Sequence, residues 1–256
     1  IRVIVTIIVV IIFLCDFSIL SYIFYFIGTT HFFYGLLIYL FVINKIDIGS
    51  KIIPINSQKE GLYFSVLDII TLTNAYGINF FIAGIISINH LGVFFAISII
   101  LRVYQTFAES TDFVVMPSSG ELDKQGLIVI IIKNLIIGAF ISLIFVILGE
   151  SLLSFVYAQK YDEYLYLIPY ICILGCMKMV DIIPSSIVSG ISSKSTLKQY
   201  VLFNIMLTTL FIPCSILSIY NYGLKGAILS LIILYTVKSL FGFGVLRKKF
   251  ELEQVS

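Results

Sequence analysis

Eight apolar stretches constrain this chain more than any other feature of its sequence. They cover residues 1–14, 18–43, 62–87, 91–117, 127–149, 164–190, 197–219 and 224–246. A membrane-spanning α-helix needs about 20 predominantly apolar residues, and every stretch except the first reaches that length. The sequence therefore predicts an all-α fold, a polytopic transmembrane helical bundle of about eight spans.

The composition excludes several other classes of protein. Of the 256 residues, 60% are hydrophobic and 12% are charged, whereas soluble domains are about 45–50% apolar and about 25% charged. A soluble enzyme and a disordered chain are both excluded. Three of the four cysteines lie in apolar stretches and the fourth, Cys15, directly follows one; none has CxxC spacing, so neither a metal site nor a disulfide framework is indicated. We expect no cofactor, and the basic residues are too sparse for a nucleic-acid partner.

A polar stretch over 44–60 divides the chain into two blocks of helices. Residues 1–43 hold two of the apolar stretches, and residues 61–256 hold six followed by a short tail. The chain begins with Ile1 rather than Met, and its first stretch is short. We therefore interpret the sequence as a fragment that lacks the N-terminal part of its protein.

The basic residues between the spans predict the orientation in the membrane, because cytoplasmic loops carry an excess of Lys and Arg. Alternating loops place ten on one side and two, Lys160 and Lys225, on the other. We expect the cytoplasmic side to contain the linker 44–60, the C-terminus and the ten basic residues, which are Arg2, Lys45, Lys51, Lys59, Lys124, Lys194, Lys198, Arg247, Lys248 and Lys249.

Charged residues inside the spans point to a cavity, because intramembrane charges usually face a bundle interior or water. In the stretch 91–117, helical periodicity places five polar residues on one face: Arg102, Gln105, Thr106, Glu109 and Asp112. A lipid-facing helix would not carry such a stripe. A self-satisfied Arg–Glu pair that joins helices is the alternative, and the cytoplasmic end of the stripe also suits an interfacial position.

Two further spans carry candidate cavity residues. In the stretch 62–87, Asp68 and Asn79 share a face with Thr71 and Ala75, although Asp68 also suits a solvated position near the membrane surface. In the stretch 164–190, Lys178 and Asp181 are three residues apart and can pair, either beside a cavity or as a neutralised pair packed against a neighbouring helix. Pro184 follows one turn later, where we expect it to kink the helix.

Two other intramembrane lysines have a less demanding explanation. Lys133 lies six residues inside its span, and Lys238 lies about two turns before Arg247. Long side chains of this kind can bury their stems and extend the ammonium group to the surface. We expect Lys133 to reach the membrane surface and favour the same position for Lys238, for which a place in the cavity is the alternative.

Three segments carry a family resemblance: residues 61–92 (GLYFSVLDIITLTNAYGINFFIAGIISINHLG), 92–117 (GVFFAISIILRVYQTFAESTDFVVMP) and 148–161 (LGESLLSFVYAQKY). They resemble the seventh helix, the eighth helix and the external end of the ninth helix of polysaccharide flippases. These belong to the multidrug/oligosaccharidyl-lipid/polysaccharide flippase superfamily. Arg102 and Pro117 match a mid-helix basic residue and a final Pro of that family, and Asn79 stands where the family often has Asp.

The resemblance implies a flippase in the cytoplasmic membrane that moves polyprenyl-pyrophosphate-linked oligosaccharide by alternating access. Residues 61–256 would be its C-terminal six-helix lobe, and 1–43 the last two helices of its N-terminal lobe. Arg102 and Lys178 would offset the phosphate charge. The carboxylates Asp68, Glu109, Asp112 and Asp181 would be counter-charges or would bind a coupling proton or sodium ion.

Three alternatives remain open. An ion-coupled multidrug-type antiporter of the same superfamily would use the acidic residues as its main groups. A membrane-embedded glycan-processing enzyme is less favoured, because the loops on the external side are short and poor in catalytic residues, and we expect no enzymatic activity. The fragment is non-functional if it requires the rest of a two-lobe transporter.

Overall fold

The computed structural model describes residues 55–120, 122–157, 160–191 and 194–253. Ile55–Ser256 form a compact unit of their own. The predicted spans 1–14 and 18–43 and most of the 44–60 linker lie outside the described residues. The last six residues of that linker already belong to the first described helix, whose polar start extends beyond the apolar stretch.

The described part of the chain is helical and contains no β-strand. Its helices are α1 (Ile55–Ile85), α2 (Ile88–Ser118), α3 (Lys124–Val156), α4 (Ile168–Ile191) and α5 (Lys194–Glu253), with a 3₁₀ helix at Asp162–Leu167 before α4. Five helical segments are long and apolar enough to cross a membrane. The all-helical fold class is thus confirmed for the described residues and is consistent with a membrane bundle, while eight spans stay a prediction.

Polar side chains fix where two of these helices begin. The Ser87 hydroxyl accepts a hydrogen bond from the backbone N–H of His90 at the start of α2. The Asp123 carboxylate accepts one from Gly126 N–H at 2.7 Å at the start of α3. These side chains satisfy donors that the first turn of a helix leaves without intrahelical partners.

Helix α5 is a hairpin of two arms that reverse at Gly223. Its 60 residues would extend about 90 Å as a straight helix, about three times the hydrocarbon thickness of a bilayer. Gly223 has φ 60°, a conformation that glycine adopts without steric cost. The rings of Phe203 and Phe241 stack with centroids 3.5 Å apart, so the first arm (194–222) and the second arm (224–253) run antiparallel.

Helix α4 lies at the centre of the bundle and packs against α2, α3 and α5. It runs through Pro184 as one helix. Small residues let its neighbours approach closely, as is common between membrane helices. Gly175 faces the fully buried ring of Tyr104, whose hydroxyl is hydrogen-bonded to Ser142 on α3 at 2.8 Å. This contact sets the spacing of α2, α3 and α4.

Replacing Gly175 by Ala should destabilise the bundle. A Cβ atom there would lie 2.5 Å from the Tyr104 ring, and overpacking of a core usually costs about 1–3 kcal/mol. Thermal unfolding in detergent, followed by circular dichroism, measures the loss. Gly84→Ala is the matched control because no atom lies within 4 Å of its added Cβ. Equal midpoints for the two variants would contradict the close packing at Gly175.

Candidate ligand-binding cavity

A cavity of about 930 Å³ opens between α1, α2, α4 and the second arm of α5. Ligand sites in proteins commonly have volumes of about 300–1,000 Å³. On α2 its lining extends from Gly92 to Glu109, about 25 Å along the helix axis. The two ends of the cavity, called here the Gly92 end and the Glu109 end, differ in chemistry.

The polar stripe of α2 forms one wall at the Glu109 end. Arg102, Gln105 and Glu109 all line the cavity, and all three are exposed. The Gln105 amide donates a hydrogen bond to a Glu109 carboxylate oxygen at 2.8 Å. Arg102 forms no ion pair with a residue that the structure describes, so its guanidinium is available to a ligand.

Lys178 supplies a second cation on the neighbouring wall formed by α4. It projects from α4 into the same cavity, and its Nζ lies 5.6 Å from the ring centroid of Tyr235 on the second arm of α5. An aromatic face attracts a cation without neutralising it. Within the described part of the chain, Lys178 has no carboxylate at ion-pair distance.

Asp181 pairs with a residue from another helix. Its Oδ2 lies 2.8 Å from Nζ of Lys238, and the two side chains are only 7% and 13% exposed. The predicted pairing of Asp181 with Lys178 is therefore wrong, and Lys238 lies in the cavity lining, its less favoured position, rather than at the membrane surface. Lys238 turns inward because Asp181, on the neighbouring helix, offers a counter-charge. The pair also joins α4 to the second arm of α5.

The Glu109 end therefore carries an excess of positive charge. Three cations, Arg102, Lys178 and Lys238, stand against two carboxylates, Glu109 and Asp181. The Asp181–Lys238 pair cancels internally, and the Glu109 carboxylate is bound by an amide rather than by a cation. Arg102 and Lys178 are left facing the cavity, which suits a ligand with a multiply charged anionic group.

The Gly92 end is neutral and partly aromatic. It includes Asn79 of α1, Ser98 of α2, Tyr157 after α3 and Tyr161 before the 3₁₀ helix. Oδ1 of Asn79 and Oγ of Ser98 are buried, and no described residue forms a hydrogen bond with either atom. Buried polar atoms normally have a partner, and these two oxygens on residues of the lining lack one among the described residues.

Six of the eight residues that the sequence proposed for the cavity line it, and two do not. Asn79, Arg102, Gln105, Glu109, Lys178 and Asp181 come together around one space. Asp112 instead accepts a hydrogen bond from Ser186 at 2.5 Å and joins α2 to α4. Asp68 is exposed on α1, one turn beyond Thr71, where the lining of that helix ends.

Sequence reasoning missed several lining residues. Ser98, Tyr157, Tyr161 and Tyr235 carry no charge, and single hydroxyl groups are common on all helices. Lys238 was misassigned because its partner lies 57 residues away. In the described part of the chain, no group of three His, Cys, Asp or Glu side chains is placed to hold a metal ion.

Comparison of the chain with protein-family models, with curated proteins and with solved structures gave no match.

Replacing Asp181 by Asn should destabilise the protein strongly. The Lys238 ammonium would stay buried without its counter-charge, and removing one partner of a buried pair costs about 3–5 kcal/mol. Thermal unfolding in detergent tests this, with the exposed Asp68→Asn as the matched control. The double variant Asp181→Leu/Lys238→Met, which removes both charges, should recover most of the lost stability. An Asp181→Asn protein as stable as the control would contradict a pair that supports the fold.

Proposed function

We propose that residues 61–256 form the C-terminal lobe of an eight-span or larger flippase. This flippase moves polyprenyl-pyrophosphate-linked oligosaccharide across the cytoplasmic membrane. The observation that carries the proposal is the pair of cations, Arg102 and Lys178, that face one cavity without an ion-pair partner among the described residues. The resemblance of 61–92, 92–117 and 148–161 to polysaccharide flippases supplies the substrate class.

Such a transporter must move a polar, charged headgroup through the apolar interior of the membrane. A pyrophosphate loses its hydration when it enters a membrane, and burying an unpaired charge is costly. Charge-assisted hydrogen bonds from guanidinium and ammonium groups offset that loss. Arg102 and Lys178 line one cavity from two neighbouring helices, α2 and α4, so together they can hold a pyrophosphate while the polyprenyl tail stays in the bilayer.

The transport step in this proposal is alternating access, in which a lobe rocks about a central cavity. Linker 44–60 and the C-terminus then lie in the cytoplasm, in accordance with the excess of basic residues on that side. This orientation puts the Gly92 end of the cavity towards the outer leaflet. The Glu109 end lies deeper, towards the cytoplasm.

The test is a flipping assay with the full-length gene product in proteoliposomes, using a fluorescent polyprenyl-pyrophosphate oligosaccharide. Arg102→Ala and Lys178→Ala should each lower the flipping rate about tenfold, since one charge-assisted contact is worth about 1.5–3 kcal/mol and 1.4 kcal/mol is a factor of ten. Arg102→Lys should retain more activity than Arg102→Ala because it keeps the charge.

Lys133→Ala is the control, because Lys133 is exposed on α3 and does not belong to the cavity lining. Its flipping rate should equal that of the wild type. Normal flipping by both Arg102→Ala and Lys178→Ala would remove these residues from the mechanism. A wild-type protein that flips no such lipid would refute the proposal itself.

One observation favours a second candidate, an ion-coupled antiporter of the same superfamily. Glu109 faces the cavity with an amide as its hydrogen-bond partner, and a carboxylate in that position can bind a proton or a sodium ion. In this case drug efflux from proteoliposomes should depend on a proton or sodium gradient, and Glu109→Gln should abolish the dependence. Flipping of the lipid-linked glycan would be absent.

A further inference from the structure

The two ends of the cavity are suited to two different parts of one ligand. Every charged residue of the lining belongs to the Glu109 end: Arg102, Glu109, Lys178, Asp181 and Lys238. The first ten residues of the α2 lining, from Gly92 towards Arg102, contain no charge, and they extend about 15 Å along the helix. A ligand that fills the cavity therefore meets a neutral zone and a charged zone in sequence.

The neutral zone offers hydrogen-bonding groups of the kind that hydroxyl groups satisfy. Asn79 Oδ1 and Ser98 Oγ are buried and form no hydrogen bond with a described residue. The Tyr161 hydroxyl lies beside Gly92 at this end of the cavity: a Cβ atom added to Gly92 would lie 3.9 Å from the hydroxyl oxygen. An alcohol both donates and accepts a hydrogen bond. A ligand rich in hydroxyl groups can thus satisfy an amide oxygen and a hydroxyl oxygen alike.

The same zone also presents aromatic rings. Tyr157 and Tyr161 have ring centroids 5.3 Å apart and planes inclined at 56°, and both line the cavity. The face of an aromatic ring carries partial negative charge and attracts the weakly positive C–H groups on the face of a sugar ring. A sugar has hydroxyl groups along its edge and C–H groups on its face. The oxygen atoms of this zone suit the hydroxyl groups, and the aromatic rings suit the C–H groups.

We infer that the Gly92 end is a glycan subsite, formed by Asn79, Ser98, Tyr157 and Tyr161. It holds the sugar rings nearest the lipid while Arg102 and Lys178 hold the pyrophosphate. The inference rests on the proposed function and adds an orientation: the headgroup lies lengthwise along α2. The charged Glu109 end does not suit neutral sugars, because their hydroxyl groups leave the two cations without a counter-charge.

Binding measurements with two soluble probes separate the two subsites. One probe, called here the pyrophosphate probe, is a short-chain prenyl pyrophosphate without sugar, and the other is the same prenyl pyrophosphate that carries a disaccharide. Both are titrated into the full-length gene product in detergent, and each dissociation constant is measured by calorimetry. The wild type should bind the disaccharide probe more tightly than the pyrophosphate probe, because only the disaccharide probe reaches the Gly92 end.

The variants Tyr157→Ala and Tyr161→Ala should weaken binding of the disaccharide probe about tenfold, a loss of 1.4 kcal/mol, and leave binding of the pyrophosphate probe unchanged. Arg102→Ala should weaken binding of both probes. Tyr220→Ala is the matched control, because Tyr220 is 78% exposed and lies outside the cavity lining. Circular dichroism verifies that each variant is folded. Asn79→Ala gives a second test that does not alter the aromatic rings.

The outcomes distinguish this inference from the proposed function. If the tyrosine and Asn79 variants weaken both probes equally, or neither, the glycan subsite is refuted while an anion-binding cavity stands. The same holds if the wild type binds the disaccharide probe no more tightly than the pyrophosphate probe. If the wild type binds neither probe, both the subsite and the proposed function are refuted.

Discussion

The ion pair between Asp181 and Lys238 is the interaction on which the cavity depends. It joins α4, the central helix of the bundle, to the second arm of α5, and these two helices form adjacent walls of the cavity. It also determines which charges remain for a ligand. Because Lys238 pairs with Asp181, the one carboxylate on α4, Lys178 and Arg102 have no ion-pair partner among the described residues. The excess of basic side chains in the cavity without an ion-pair partner thus follows from the pairing of Asp181 with Lys238 rather than with Lys178.

Most of the helical architecture of the described residues follows from the sequence, for a simple physical reason. In lipid, the backbone N–H and C=O groups must form hydrogen bonds with one another, and a long apolar stretch does so by forming a helix. The stretches over 62–246 all become helical. Short loops between them then force neighbours to run antiparallel. The bend at Gly223 is foreseeable too, because the polar Asn221 precedes a residue that tolerates positive φ.

The site was only partly predictable from the sequence. Helical periodicity predicts which residues share a face of a helix, but it does not predict which other helix that face contacts. Arg102, Gln105 and Glu109 share a face and line one cavity, as the spacing indicated. Asp112 is turned about 80° from Arg102 at 100° per residue, and this is enough to direct it to Ser186 on α4. The partner of Lys238 is set by tertiary packing across 57 residues. No local pattern in the sequence contains that information.

The reversal at Gly223 has a consequence for how the chain enters the membrane. The two arms of α5 contact each other across the turn, so they can insert together as a helical hairpin. Lys238 lies in the second arm, and a lone charge at the centre of a spanning helix costs about 2.5–3.5 kcal/mol on insertion scales. Its counter-charge belongs to α4, which is synthesised earlier. Biosynthesis therefore delivers the carboxylate before the lysine, so the counter-charge is already part of the chain when Lys238 is added.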